Sequence, residues 1–114
     1  NEAKRHGASR FRYCDTLGYD DPQTAYQRIL TIAKETQMDI ELHFHNDLGM
    51  AVGNSVLGAK AAIDAGVNAY INTAVNGMGE RAGNADLISC LLSSGFFCSQ
   101  ATKVKLIAMS MKKE

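Results

Sequence analysis

The sequence predicts an α/β fold of repeated strand-helix units with a parallel sheet, on three observations. Strand starts recur near residues 10, 39 and 69, a period of about thirty residues that matches one strand and its crossover helix. The stretches between them carry apolar residues at helical spacing. Each strand also ends in a polar turn: Asp15-Thr16, His43 to Asp47, and Asn76 to Asn84. Right-handed crossovers between parallel strands place all three turns side by side on one rim.

Residues 1 to 8 are charged and small, which predicts a loop or the frayed end of a preceding element. Arg10-Phe11-Arg12-Tyr13-Cys14 alternates like a strand and stops at Asp15-Thr16-Leu17-Gly18. Asp21 suits an N-cap and Pro22 the first helical position, where its missing N–H costs nothing. The helix runs to about Thr36 on a stripe of Ala25, Tyr26, Ile29, Ile32 and Ala33. The next strand, Ile40-Glu41-Leu42-His43-Phe44-His45, puts Glu41, His43 and His45 on one face and Ile40, Leu42 and Phe44 on the other. A small-residue helix then spans about Met50 to Ala65 and is stopped by Gly66. Ala69 to Val75 reads as a third strand, opening onto three glycines in nine residues before a helix from about Ala85 to Ser93. Past Gly95, Phe96-Phe97-Cys98 is expected to be a short strand, and Val104, Ile107, Ala108 and Met111 a final helical stripe. The expected division is a strand-helix domain over residues 1–95 and a helical tail over 96–114.

Composition excludes several classes. Twelve basic and twelve acidic residues among 114 give no electrostatic reason to expect nucleic acid or an anionic membrane. Three cysteines, Cys14, Cys90 and Cys98, lack Cys-x-x-Cys spacing, so neither a disulfide framework nor a thiolate zinc site is expected. A reduced, cytoplasmic setting is expected. The first residue is Asn, not Met, and the chain is expected to be a fragment or processed piece.

The chemistry centres on His43 and His45. Two imidazoles on one strand face can share a divalent ion, and they end their strand where α/β sheets gather function. His-x-His alone is also common among hydrogen-bonded strand histidines. Asp15 reads either as a cap on its own turn or as a group orienting a ligand, and Thr16 offers a hydroxyl to a carboxylate. Asn46 and Asp47 read as turn structure and support behind the histidines. Glu41, deeper on that face, is expected to pair with a polar neighbour. The loop from Gly77 to Asn84 lacks the Gly-x-x-x-x-Gly-Lys and Gly-x-Gly-x-x-Gly patterns of phosphate loops. Glu80 and Arg81 there are consistent with surface pairing, and Asn84 with a helix N-cap.

Taken in order, Asp15-Thr16-Leu17-Gly18, His43-Phe44-His45-Asn46-Asp47-Leu48-Gly49 and Asn76-Gly77-Met78-Gly79-Glu80-Arg81-Ala82-Gly83-Asn84 resemble the homocitrate synthase and isopropylmalate synthase family. Asn72-Thr73 is more similar to the nitrogen-fixation homocitrate synthases. The resemblance implies a partial TIM (β/α)8 barrel, the later strand-helix units, whose rim binds a divalent metal (Zn, Mg or Mn) and a 2-oxo acid. It implies an acyltransferase that condenses acetyl-CoA with 2-oxoglutarate to homocitrate, or with 2-oxoisovalerate in the isopropylmalate synthases. His43 and His45 match metal ligands of that family, Asn84 an asparagine near the metal, and Thr16 a threonine that contacts the oxo acid. The catalytic base has no match. Nor does the family's first strand, whose Arg-Asp-Gly type motif supplies an acidic ligand, so the resemblance implies a complementary barrel half or partner subunit, an oligomer, and an isolated chain without activity. Past residue 90 the resemblance fades. The rival reading is a non-catalytic, open-sheet α/β binding domain of flavodoxin-like size.

Overall fold

A computed structural model describes residues 2–97 and 103–109. A single helical turn, α1 (Glu2–Arg5), precedes β1 (Arg10–Asp15), α2 (Pro22–Thr36), β2 (Asp39–Phe44), α3 (Ala51–Asp64), β3 (Ala69–Thr73), α4 (Leu87–Phe97) and β4 (Val104–Ala108). The four strands form one parallel sheet in the order β1-β2-β3-β4. Sequential order is what a (β/α)8 barrel requires, whereas a doubly wound sheet reverses direction at a switch point.

Local chemistry sets the boundaries. The Asp21 carboxylate accepts the backbone N–H groups of Gln23 and Thr24, both at 3.0 Å, and starts α2. Met50, which precedes α3, brings no side-chain cap. Instead Asn46 Oδ1 accepts the Ala51 N–H at 3.1 Å, so the histidine turn itself caps the next helix.

The alternation in β2 sorts its residues as the sequence predicts. Ile40, Leu42 and Phe44 are fully buried with Ile71 against Ile29, Ala33, Ala59 and Ala62 of α2 and α3. Each large side chain so covered contributes about 1.5 to 3 kcal/mol. The opposite face of the sheet is polar. There Glu41 accepts from Arg10 at 3.0 Å and Asn72 at 2.9 Å and pairs with Arg12 at 2.6 Å. The Arg10 guanidinium also stacks 3.7 Å over the Tyr70 ring. A fourth parallel strand is present, but this charged face is not the apolar surface that an open, doubly covered sheet needs.

The tail departs from expectation. Phe96 and Phe97 extend α4 instead of forming a strand, and 104–108 form β4, not a helix. Val104-Lys105-Leu106 satisfies period two as well as a helical stripe, and pairing with β3 from Ala69↔Val104 to Thr73↔Ala108 decides between them. Cys98 and Met111 lie outside the described residues. No described helix is long and apolar enough to cross a membrane.

Candidate metal centre

The backbone after β3 builds the site. Ala74 donates to the Ala85 carbonyl at 2.9 Å and accepts from Leu87 at 3.0 Å, so the 76–86 loop is pinned where it leaves and returns. On its way back the loop runs antiparallel to the end of β2. Asn46 donates to the Gly83 carbonyl at 2.9 Å, and His45 and Asn84 face each other across a single antiparallel bridge. Gly79 lies directly on the Asn84 amide, where any Cβ would collide with it. The loop's glycine therefore lets the backbone close over the asparagine.

His43 and His45 stand edge to face with ring centroids 5.0 Å apart and planes at 87°. Together with Met78, Gly79, Glu80, Asn84 and Met109 they line a cavity of about 530 Å³ at the carboxyl ends of β2 and β3. His45 and Asn84 are 7% and 8% exposed. Among the described residues His45 Nδ1 and Asn84 Oδ1 are buried without a hydrogen-bond partner, an uncommon state for buried polar atoms and one that a cation or a ligand donor at the cavity would relieve. The His43 imidazole titrates below its ordinary value of 6.5, chiefly through burial, with His45 and Arg12 adding to the effect against Glu41 and Glu80. It is therefore neutral at pH 7, the form that ligates metals. The described residues contain no cluster of three His, Cys, Asp or Glu side chains at ligating distance. Two imidazoles and an amide oxygen would give a divalent ion three donors, the number catalytic sites usually draw from protein, but all three are neutral and the acidic ligand that the resemblance implies is not among them.

The remaining expected site residues hold the rim together. Asp15 accepts the N–H groups of Tyr19 at 3.1 Å and Asp20 at 3.0 Å, the capping alternative. Thr16 lines a neighbouring cavity with Asp15 and Tyr19, and the histidine pocket does not include it. Asp47 receives Arg81 Nε at 2.7 Å and Nη2 at 2.9 Å, which holds its carboxyl below the usual range. None of the hydrogen bonds described for Asp15, Asn46 and Asp47 reaches an imidazole. Asn84 is not the N-cap of α4. Asp86 is, accepting Ser89 N–H at 2.8 Å and its hydroxyl at 2.7 Å.

Two residues outrun the sequence reading. Arg81 reaches across the rim to Asp47 and to the Thr16 carbonyl, and Glu80 lines the histidine pocket. Their place in a glycine-rich loop that follows a strand was the available signal.

Comparison with known proteins agrees with this architecture. The HMGL-like family model matches residues 1–106, past the point where the resemblance was expected to fade. A citrate (Re)-synthase of Dehalococcoides mccartyi is 60% identical over 91 residues, 80% of this chain and 22% of that protein. A homocitrate synthase 1 of Nostoc sp. is 46% identical and a 2-isopropylmalate synthase 2 of Caldanaerobacter subterraneus 45%, each over 85 residues, 75% of this chain and 21% of the relative. The chain thus spans about a fifth of the length of these curated relatives. HMGL-like domains are TIM barrels, and four sequential parallel strands with their helices are consistent with part of one. On a match that covers nearly its whole length, this chain belongs to the HMGL-like family.

Proposed function

We propose that this chain carries part of the catalytic rim of an acyltransferase that condenses the acetyl group of acetyl-CoA with a 2-oxo acid. The observation that carries the reading is the pair His43 and His45, with Asn84 bridged to it and two buried polar atoms left without partners. His43, His45 and Asn84 would hold the metal. Bound there, a divalent ion would supply Lewis-acid chemistry to the oxo group of the acid. The chain's own residues do the rest of the local work: burial keeps His43 neutral, the loop over Asn84 fixes the amide, and Thr16 offers its hydroxyl to the carboxylate of the oxo acid.

The acceptor acid favoured is oxaloacetate, giving citrate, on the 60% identity with the citrate (Re)-synthase against 46% with the homocitrate synthase. Homocitrate formation from 2-oxoglutarate is the second reading, suggested by Asn72-Thr73. Both residues are occupied within the sheet, however, Asn72 on Glu41 and Thr73 Oγ1 on the Ile107 carbonyl at 3.1 Å. They therefore speak weakly for a substrate. The test is thiol release from acetyl-CoA by the full-length protein with oxaloacetate, 2-oxoglutarate, 2-oxoisovalerate and pyruvate, with and without chelator. Chelator-sensitive turnover greatest with oxaloacetate is expected. Preference for 2-oxoglutarate restores homocitrate, preference for 2-oxoisovalerate selects isopropylmalate, and no release with any acid overturns the synthase reading.

A further inference from the structure

We propose that Arg81 is a positioning residue that sets the spacing between the Thr16 turn and the histidine pair, and so the fit of the 2-oxo acid. The inference rests on the synthase reading. Its ground is a three-loop clasp: one guanidinium donates to both carboxylate oxygens of Asp47, at 2.7 and 2.9 Å, and to the backbone carbonyl of Thr16 at 2.7 Å. Those partners end β1 and β2, and Arg81 itself follows β3. The planar fork suits this task, because one rigid group satisfies two acceptors on Asp47 while a second edge reaches Thr16.

Three further observations support the clasp. Arg81 holds φ at +56°, a left-handed conformation that a non-glycine residue keeps only where its surroundings impose it. Gly18, closing the Thr16 turn, sits so near Asp47 that an added Cβ would lie 2.7 Å from Oδ2. The first and second turns are therefore in contact through the same carboxylate that Arg81 grips. Thr16 and the histidines line separate cavities, so their separation depends on how these turns are fixed, and Arg81 is the side chain that spans all three.

The test compares wild-type full-length protein with Arg81→Met and Arg81→Lys. It reads thermal midpoint, Zn²⁺ or Co²⁺ affinity by titration without substrates, and separate KM values for the oxo acid and acetyl-CoA. Arg81→Met is expected to raise the oxo-acid KM at least ten-fold while the acetyl-CoA KM stays within two-fold. Arg81→Lys, which keeps the charge and a single donor group, should recover part of that loss. Should Arg81→Met fail to fold, the lysine variant decides, since a raised oxo-acid KM in it supports the clasp. A lowered midpoint with unchanged oxo-acid KM in either folded variant overturns the positioning role. A wild type inactive on every 2-oxo acid instead overturns the synthase reading on which it rests.

Discussion

His45 and Asn84 are opposed across a single antiparallel bridge, 39 positions apart in sequence, and each buries a polar atom that no group among the described residues satisfies. The bridge is made by backbone, so the amide is delivered to the imidazole whatever the side chain does. Asn84→Ala should therefore keep the loop and lose one donor. We expect divalent-ion affinity to fall about 10- to 100-fold, the scale seen when a ligand's support is removed, and His43→Ala or His45→Ala to abolish stoichiometric binding. Titration calorimetry with Zn²⁺ checks this, and an Asn84→Ala variant with wild-type affinity removes Asn84 from the site.

Thr16→Val keeps the side-chain shape and deletes the hydroxyl. If that hydroxyl meets the oxo-acid carboxylate, turnover at low oxo acid should fall by roughly 1 to 3 kcal/mol, the cost of an unpaired polar group on the ligand. The Arg81 contact uses the Thr16 carbonyl, so valine leaves the clasp intact. Unchanged kinetics in the full-length protein would take Thr16 out of substrate binding.

Glu41 is 7% exposed. Burial works against its charge, yet hydrogen bonds from Asn72, Arg10 and Arg12 hold its pKa below the ordinary 4.5. A carboxyl depressed on folding stabilises above its unfolded pKa, and that contribution is lost as pH falls through the folded value. Glu41→Gln should therefore cost about 1 to 3 kcal/mol at pH 7, with the gap to wild type narrowing below about pH 4.5. Thermal midpoints from pH 3 to 7 test it, and a gap that stays constant to pH 3 contradicts the ion-pair account.

Cys90 is fully buried in α4, and burial, with Asp86 adding, pushes its thiol up to about 12. Thiolate is the reactive form. In the native protein at pH 8, iodoacetamide should modify Cys90 at least about 100-fold more slowly than in denaturant. Peptide mass spectrometry locates the label, and rapid native labelling at Cys90 would show that α4 opens.

What sequence revealed and what it hid follow the range of the forces involved. The split of β2 into a buried Ile40-Leu42-Phe44 face and a Glu41-His43-His45 face is local, and so is the Asp21 cap; both were legible. Asn84 was placed near the histidines by the family resemblance alone, because from its own neighbours it reads as a helix cap until the Gly83 carbonyl is seen to accept from Asn46, far away in sequence. β4 was misread for the same reason. Its apolar residues fit two periods, and only the partner strand β3 tells them apart.

By itself, the 114-residue chain leaves much of its surface unpartnered. In the described sheet β1 and β4 are both edges, with rows of unpaired backbone groups that invite another chain. Ile88, Leu91 and Leu92 form an exposed apolar stripe at helical spacing on α4, and Phe11 is 37% exposed on β1. A closed barrel takes eight strands and about 250 residues, and the proposed ligands His43, His45 and Asn84 are all neutral, so the acidic donor implied by the family resemblance has to come from elsewhere. We therefore expect the isolated chain to associate with rising concentration in sedimentation velocity and to release no thiol from acetyl-CoA. Covalent joining to strands that complete the barrel should give both a discrete species and turnover. Metal-dependent turnover by the isolated chain as a monomer would mean that four strands complete the site, and that His43, His45 and Asn84 need no further donor.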